Sequence, residues 1–170
     1  MRDVILIAHD IRSTHNVGSL LRTAECFGVT KTFFTGYTPY PTIEGDERLP
    51  HISAKLSGQI HKTALGAEHM TPWFHYENII DLIDMLRAQG YVLVALEQTK
   101  NSTVLPDFHP PQKLALIIGR EVEGIDADLL SRCDIAIEIP QFGEKESLNV
   151  VQATAIALYQ IQTSATSEGM

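Results

Sequence analysis

Runs of apolar residues alternate with segments of helical periodicity along most of the chain. Short runs rich in Val, Ile and Leu indicate strands, whereas apolar residues that recur every three or four positions indicate helices. The predicted strands are 3–8, 31–35, 91–96, 113–118 and 134–139. The predicted helices are 16–28, a helix from 79 that stops at Gly90, 126–132 and 150–161. This alternation predicts an α/β fold with a mainly parallel sheet flanked by helices.

The length of 170 residues fits one domain with a single core. We expect this domain to occupy residues 1–162 and residues 163–170 to form a flexible C-terminal tail. The stretch 36–50 is rich in Pro and Gly, which predicts a mobile loop. The sequence assigns no role to residues 36–70.

The segment from Gly143 to Val150 joins a predicted strand, which ends near Pro140, to the last predicted helix. Backbone N–H groups at a helix start have no partner within the helix. Ser147 is therefore expected either to cap them or to leave them for a bound molecule, with Asn149 as a second polar side chain. Taken alone, an ordinary N-cap explains the segment more simply.

Gly18 and Arg22 lie four positions apart in the predicted helix 16–28 and therefore share one face. A glycine near a helix start lowers helix propensity by roughly 1 kcal/mol relative to Ala, and it commonly marks close approach by backbone or ligand. Arg22 is expected to project into that opening, with Asn16 at the start of the helix. The alternative is a surface arginine above a helix-packing glycine.

The apolar run 114–118 ends in a loop that has Gly119 at one end and Gly124 at the other. Unbroken apolar runs are typical of strands that are buried on both faces of a parallel sheet. The loop then lies at the carboxyl end of its strand, where open α/β sheets bind their ligands. The alternative is a simple connection in which Glu121 and Glu123 are solvated charges.

Together these three segments resemble the SpoU, or TrmH-like, family of RNA 2'-O-ribose methyltransferases in the SPOUT superfamily. Residues 16–22 resemble family motif one, Asn-x-Gly-x-x-x-Arg, and residues 119–124 resemble motif two, Gly-x-Glu-x-x-Gly. Residues 139–150 resemble motif three, Ile-Pro-x-x-Gly-x-x-x-Ser-Leu-Asn-Val. Three motifs in order are far more specific than one. Gln141 departs from the pattern, because many members carry Met there.

The resemblance implies a fold and a cofactor that composition and periodicity do not predict. It implies a deep trefoil knot in the C-terminal part of the chain, although knots are rare in proteins. It also implies a homodimer whose site is completed across the interface, and a chain that corresponds to the catalytic domain alone. The implied cofactor is S-adenosylmethionine, held by the backbone of Leu96, Gly119, Ile139 and Leu148.

The implied reaction transfers a methyl group to a ribose 2'-hydroxyl of tRNA or rRNA. Arg22 matches the family's catalytic arginine. Because a guanidinium with a pKa above about 12 is a poor base, we assign Arg22 phosphate anchoring and charge stabilisation before proton removal. Asn16 is expected to orient Arg22 or the ribose, and Glu121 to pair with a basic side chain or orient the motif-two loop. Ser147 and Asn149 are expected to line the pocket.

The formal net charge of −8 is unusual for a protein that binds RNA, because phosphate contacts normally supply much of the affinity. RNA contact is therefore expected at a local patch around Arg12, Arg22 and Lys145. Arg48 and Lys55 are weaker candidates, which scattered solubilising charge explains better.

Other ligands and compartments have little support in the sequence. The 7 histidines and 2 cysteines show no metal-binding or redox spacing, and neither a Walker motif nor a dinucleotide glycine motif is present. No run approaches the roughly 20 apolar residues of a membrane span, and the first apolar run is too short for a signal peptide. We therefore expect no metal and no membrane contact, and a cytoplasmic protein.

Two other functions fit parts of the pattern. A non-catalytic RNA-binding or assembly protein that kept the fold would be expected to have lost Arg22, Asn16 or Asn149, and all three are present. An enzyme that methylates a small nucleoside or a protein fits the acidic charge. If RNA is the substrate, its recognition is expected to depend on a folded RNA or on a partner protein.

Overall fold

The computed structural model describes residues 1–165. Its centre is a 7-stranded sheet with the strand order β3-β2-β1-β6-β4-β7-β5. Every pair of neighbouring strands in this sheet is parallel. The strands are β1 (Asp3–His9), β2 (Lys31–Thr35), β3 (Trp73–Tyr76), β4 (Val92–Leu96), β5 (Thr103–Val104), β6 (Lys113–Ile118) and β7 (Ile135–Glu138). The predicted parallel sheet is confirmed.

The described part of the chain also contains five α-helices and two short 3-10 helices, the latter at Ala67–His69 and Leu105–Asp107. The α-helices are α1 (Thr14–Cys26), α2 (Pro50–Ala64), α3 (Ile79–Ala88), α4 (Ala127–Ser131) and α5 (Val150–Thr163). Every element predicted from the sequence forms, with bounds that differ by at most two residues. The sequence prediction lacks β3, β5 and α2.

The sequence pattern does not predict helix α2, because few of its residues are buried and apolar. Among its 15 residues only Ser53, Ile60 and Ala64 are buried. Gly58 lies exposed in the helix interior, where glycine weakens helix propensity. Pro50 at the first helical position is the main local signal for a start. Packing against α1 supplies the stability that the local pattern does not show.

The alternating side chains of β1 show how the sheet divides the core. Val4, Leu6 and Ala8 pack with the buried faces of α1, α2 and α5. Ile5 and Ile7 point the other way and pack with α3 and α4. Burial on both faces explains why the strand sequence is an unbroken apolar run. Helices thus cover both faces of the sheet, and the loops are left at the strand ends.

A buried arginine near the N-terminus holds the end of α5. Arg2 is 4% exposed, and its guanidinium donates hydrogen bonds to four carbonyl oxygens, those of Pro110 (3.2 Å), Ile161 (2.7 Å), Ser164 (2.8 Å) and Ala165 (3.0 Å). Cationic side chains stabilise carbonyl groups at helix C-termini in this way. These bonds place Ser164 and Ala165 against the domain, and the flexibility of the tail from 163 stays a prediction. The remainder of that predicted tail, 166–170, lies outside the described residues.

Side-chain contacts hold the loop between β2 and α2 in one arrangement. Arg48 donates from Nε to Oδ1 of Asp46 at 2.8 Å, and it also donates to the carbonyl oxygens of Tyr40 (2.9 Å) and Pro41 (3.0 Å). Charge-assisted bonds of this kind are among the stronger hydrogen bonds in proteins. They argue against the mobility that the Pro and Gly content of 36–50 predicts.

Gly18 marks the close approach of α1 to α2. A Cβ at this position would lie 2.2 Å from the carbonyl oxygen of Ile60 and 2.2 Å from Oγ1 of Thr63. The neighbour of this glycine is therefore helix backbone rather than a ligand. We expect Gly18→Ala to lower the free energy of unfolding by roughly 1–3 kcal/mol, because α2 must shift to admit the methyl group. Chemical denaturation measures this change.

The matched control lies in the partner helix. A Cβ added at Gly58 would meet nothing within 4 Å. Gly58→Ala is therefore expected to raise the free energy of unfolding by roughly 0.5–1 kcal/mol, because alanine favours the helix over the unfolded chain. Effects of the same sign at Gly18 and Gly58 would contradict the packing role of Gly18.

Candidate functional site

A cleft opens at the carboxyl ends of three adjacent strands, β6, β4 and β7. It encloses about 180 Å³, and its walls are the loops that follow these strands together with the start of α5. The four positions to which the resemblance assigns the cofactor all lie in these walls: Leu96, Gly119, Ile139 and Leu148. The parallel sheet thus brings together segments that are far apart in the sequence.

The loop after β6 closes on itself through a short bridge. Arg120 and Gly124 exchange backbone hydrogen bonds of 3.2 and 3.1 Å. A Cβ at Gly119 would lie 2.7 Å from both the carbonyl carbon and the carbonyl oxygen of Gly124. Gly124 has a φ of +69°, and a Cβ there would lie 2.2 Å from Oε2 of Glu97. Gly119 is therefore required by close packing against backbone, and Gly124 by its left-handed backbone conformation.

Side chains from all three motifs meet in one hydrogen-bonded chain beside the cleft. Nδ2 of Asn16 donates to Oε1 of Glu121 at 3.1 Å. Nδ2 of Asn149 donates to Oδ1 of Asn16 at 3.4 Å. Asn16, in the first turn of α1, thus connects the loop after β6 with the start of α5. The structure brings together three of the five residues that the sequence indicates as catalytic.

The carboxylate of Glu121 stabilises the start of α1. It accepts hydrogen bonds from the backbone N–H groups of Arg12 (3.4 Å) and Ser13 (3.3 Å), beside the positive end of the helix dipole. Burial alone raises the pKa of Glu121, but hydrogen bonds from its own backbone, Asn16, Ser13 and Arg12 outweigh burial and leave that pKa lowered. The carboxylate is therefore ionised at neutral pH. The guanidinium of Arg12 lies near Glu123 instead, at 3.5 Å.

Asn149, rather than Ser147, caps helix α5. Oδ1 of Asn149 accepts a hydrogen bond from the backbone N–H of Val151 at 2.9 Å. The sequence offers capping of α5 as one role for Ser147, and that prediction is wrong. The irregular loop before α5 leaves Ser147 two residues before the N-cap residue, Asn149. Ser147 is exposed and lies in the wall of the cleft, next to Leu148.

Arg22 lies outside the cleft of its own chain. It is exposed on α1, and among the described residues it forms no hydrogen bond or ion pair. Asn16 contacts Glu121 and Asn149 and does not orient Arg22 within the single chain. The other two residues predicted to contact RNA are also exposed, on separate segments: Arg12 just before α1 and Lys145 in the motif-three loop.

Comparison with known proteins identifies the family. The model of the SpoU rRNA Methylase family matches residues 48–159. This chain belongs to that family. It is 30% identical over 164 residues to the 23S rRNA (guanosine-2'-O-)-methyltransferase RlmB of Coxiella burnetii, covering 94% of this chain and 58% of that protein. It is 29% identical over 159 residues to the tRNA (guanosine(18)-2'-O)-methyltransferase TARBP1 of Mus musculus, covering 92% of this chain and 9% of that protein.

Solved structures of RNA-modifying enzymes share the fold. The AdoMet-bound rRNA methyltransferase of Sinorhizobium meliloti gives a TM-score of 0.80 at 23% identity, covering 95% of this chain and 56% of that chain. The TrmH/SpoU tRNA modifying enzyme of A. aeolicus gives 0.77 at 22% identity, covering 95% and 75%. At these identities the likeness shows the fold alone. The parallel α/β sheet flanked by helices is confirmed, and the knot stays a prediction.

Several polar residues of the SpoU cleft are absent from the sequence prediction. They are Glu97, Gln98, Arg120 and Glu138. The carboxylate of Glu138 accepts a hydrogen bond from Oγ of Ser102 at 2.5 Å. Each of these residues lies at the end of a predicted apolar strand or just after it. That position is the signal that identifies them, because ligands bind at the carboxyl ends of parallel strands.

Gln141, which departs from the SpoU pattern, lines the cleft. Its Nε2 donates to the carbonyl oxygen of Ile139 at 3.2 Å. Ile139 is one of the positions assigned to the cofactor. Because a carbonyl oxygen accepts at two lone pairs, this bond leaves one of them for a ligand.

The described residues carry no cluster that fits a metal ion and no helix that fits a membrane span. Within residues 1–165 no group of three or more His, Cys, Asp or Glu side chains is placed to hold a metal ion. In the same part of the chain no helix combines the length and the apolar character that crossing a membrane requires. Cys26 and Cys133 are free thiols. Burial raises the pKa of Cys133 to about 11, so this thiol is protonated at neutral pH.

Proposed function

We propose that this chain transfers a methyl group from S-adenosylmethionine to a ribose 2'-hydroxyl of tRNA or rRNA. The observation that carries the proposal is the contact of Asn16, Glu121 and Asn149, which joins the three SpoU motifs at one cleft. Both curated relatives are named as RNA 2'-O-methyltransferases, which supports the reaction. The presence of these motif residues also argues against a protein that kept the fold and lost the chemistry.

The residues of the cleft fit S-adenosylmethionine. Leu96, Gly119, Ile139 and Leu148 are apolar or glycine, so polar contact with an adenine ring at these positions falls to backbone N–H and C=O groups. The cleft combines these apolar positions with polar and charged side chains, and sites for cofactors of this size likewise combine apolar walls with polar groups that fix orientation. When bound, S-adenosylmethionine supplies an electrophilic methyl group on its sulfonium centre.

The catalytic contribution of the chain itself is mainly positioning. Ser147, in the wall of the cleft, and Asn149, beside the cleft, are assigned to contact with the ribose. Asn16 and Glu121 hold Asn149 and the motif-two loop in place, so we assign them positioning roles. Arg22 is assigned to a phosphate of the RNA, where its charge stabilises the 2'-oxygen as the proton leaves.

Arg22 lies outside the cleft of its own chain. A homodimer would supply a second cleft, that of the other subunit, at which Arg22 acts. Helix α5 carries an exposed stripe formed by Gln152, Ile156 (43% exposed) and Tyr159 (60% exposed). Residues at this spacing share one helix face, and burial of apolar surface stabilises association. We assign the stripe to the dimer interface and Arg22 of each subunit to the cleft of the other.

Three measurements test the proposed function. Calorimetric titration is expected to show binding of S-adenosylmethionine and of its demethylated product, and light scattering is expected to show a dimer. Incubation with total tRNA and rRNA, followed by mass spectrometry, is expected to reveal new 2'-O-methyl nucleotides. Failure to bind either cofactor form would refute the proposal. Methyl transfer to free nucleosides or to protein, with none to RNA, would favour the rival enzyme.

RNA affinity is expected to be weak and to fall as salt concentration rises. The charge of −8 per chain becomes −16 in a dimer, twice −8, so long-range attraction for RNA is poor. Each phosphate contact on a single strand adds about 0.7 to the slope of log affinity against log salt. Arg12→Ala or Lys145→Ala is expected to reduce this slope by about that amount. An affinity that does not change between low and physiological salt would contradict the phosphate contacts.

The finer features that the resemblance implies are part of the same proposal. A deep trefoil knot in the C-terminal part of the chain is compatible with the sheet order, in which β4 lies between β6 and β7. Recognition of one RNA is assigned to a folded substrate or a partner protein, because the net charge of −8 gives little long-range attraction for RNA. This chain covers 58% of RlmB and 9% of TARBP1. The expected place of action is the cytoplasm.

A further inference from the structure

A second opening, here called the aromatic cleft, lies beside the start of α1. It is an open surface depression of about 490 Å³ and is defined by Arg12, Tyr37, Tyr40, Arg48 and His75. Arg12 connects it with the first cleft. The guanidinium of Arg12 lies 3.5 Å from the carboxylate of Glu123, a wall residue of the first cleft, and 5.9 Å from the centre of the Tyr37 ring. A ligand that reaches from one cleft to the other therefore passes Arg12.

One wall of the aromatic cleft is preformed. The Tyr40 ring has Arg48 on one face, 3.7 Å from the ring centre, and the stacked His75 ring at 4.0 Å and 20°. Asp46 holds Arg48 in place, because Nε of Arg48 donates a hydrogen bond to Oδ1 of Asp46 at 2.8 Å. Burial lowers the pKa of His75, so its ring is uncharged at neutral pH next to Arg48. Tyr40 consequently has its stacking partners within the chain.

Tyr37 differs from Tyr40 because its ring is available. It is 51% exposed, and within residues 1–165 no other aromatic ring stacks on it. A fixed turn presents this ring: the backbone N–H of Tyr37 donates to Oδ1 of Asp10 at 3.1 Å. Gly36 is required at this turn, since its φ is +63° and a Cβ would lie 1.9 Å from the same oxygen. The backbone that carries the ring is therefore held in place before any ligand arrives.

An exposed aromatic ring beside an exposed guanidinium is an arrangement that binds single-stranded nucleic acid. An unpaired base stacks on the ring, and the guanidinium pairs with the phosphate. The side chain of Arg12 is 67% exposed, so it retains access to a phosphate despite Glu123. Stacking is also a source of affinity that the net charge of −8 does not oppose.

We propose that the aromatic cleft binds an unpaired nucleobase of the RNA substrate, stacked on Tyr37, with the adjoining phosphate at Arg12. This inference rests on the proposed RNA methylation and gives the loop between β2 and α2 a role in substrate binding. The bound base neighbours the nucleotide at the first cleft, because Arg12 lies between the two openings.

The proposal is tested by measuring the affinity for a short single-stranded oligoadenylate. Fluorescence anisotropy reports this affinity over a range of salt concentrations. Tyr37→Ala is expected to weaken binding about fivefold or more at every salt concentration, because stacking on one ring is lost. The salt slope is expected to stay the same. Tyr37→Phe keeps the ring and is expected to retain affinity within about twofold. Arg12→Ala is expected to reduce the slope instead.

A base-free ribose-phosphate oligomer of equal length is the second probe. The parent protein is expected to bind this oligomer more weakly than oligoadenylate. Tyr37→Ala is expected to bind the base-free oligomer with the same affinity as the parent. The proposal is overturned if Tyr37→Ala binds oligoadenylate as tightly as the parent, if the base-free oligomer binds equally well, or if oligoadenylate does not bind. Thermal unfolding of each variant confirms that it is folded.

Titration of the same variants with S-adenosylmethionine separates this inference from the proposed function. Tyr37 does not line the first cleft, so Tyr37→Ala is expected to bind the cofactor as the parent does. If the parent binds cofactor and Tyr37→Ala leaves oligoadenylate affinity unchanged, the aromatic cleft proposal fails alone. If the parent binds no cofactor, the methyltransferase proposal fails. The assignment of the bound base to a methylation substrate then fails as well.

Discussion

Arg22→Ala is expected to lower kcat for RNA methylation by roughly 10²-fold or more while cofactor affinity changes by less than about twofold. The first effect follows from the loss of a charge that we assign to a phosphate at the reacting nucleotide. The second follows from the position of Arg22, which is exposed on α1 and lies outside the cleft that we assign to the cofactor. Single-turnover kinetics and calorimetry measure the two quantities separately. Arg22→Lys is expected to be nearly as damaging, because lysine lacks bidentate geometry.

A matched control and a mixing experiment sharpen this prediction. Lys55 is an exposed basic residue on α2, and Lys55→Ala is expected to retain the parental rate. If each site combines two subunits, a mixture of Arg22→Ala and Gly119→Ala chains contains dimers with one intact site. Mixing two inactive variants is then expected to restore part of the activity. Subunit exchange without recovery would show that Arg22 acts within its own chain, and a nearly parental rate for Arg22→Ala would remove its assigned role.

The sheet was predictable because its strands are buried on both faces. β1 and β6 lie in the middle of the sheet, so nearly every residue is apolar and the pattern is unambiguous. The edge strands β3 and β5 and the helix α2 were missed for the opposite reason. β5 has only 2 residues, and α2 buries little more than Ile60 and Ala64, so their stability comes from tertiary contacts.

The location of the site was predictable, but the role of single residues within it was less so. Ordered motifs at strand ends placed Gly119 and Ile139 in one cleft. Ser147 and Asn149 are both plausible helix caps from sequence, and only the backbone path before α5 decides between them. Gly18 likewise required the position of α2, because its neighbour is the backbone of a helix that the pattern did not reveal.

The arginines show a further reason why sequence alone falls short. The sequence favours a solubilising role for Arg48, yet this residue is held by Asp46 and packs on Tyr40 as a wall of the aromatic cleft. Arg12 and Arg22 have the same charge and similar exposure, and only the neighbours differ. Arg12 lies between two clefts, whereas Arg22 has no partner among the described residues. Such distinctions depend on contacts between segments that are distant in sequence.

Gly119→Ala is expected to weaken S-adenosylmethionine binding at least about tenfold, as measured by calorimetry. The added methyl group would lie 2.7 Å from the carbonyl carbon and oxygen of Gly124 and 2.7 Å from Cγ1 of Ile125. Two of these atoms belong to the backbone, so a rotamer change does not relieve the clash. The loop after β6 must move, and it forms one wall of the cleft. Methylation is expected to fall with the loss of cofactor.

Gly143→Ala provides the control for this prediction, because Gly143 is also a motif glycine, in the loop between β7 and α5, but a Cβ there would meet nothing within 4 Å. Its substitution is expected to weaken cofactor binding much less than Gly119→Ala. Thermal unfolding of both variants distinguishes a displaced loop from a chain that no longer folds. The packing argument requires a folded Gly119→Ala protein with weakened cofactor binding. Parental affinity in that variant would show that the loop after β6 tolerates the methyl group and that the cofactor does not depend on its position.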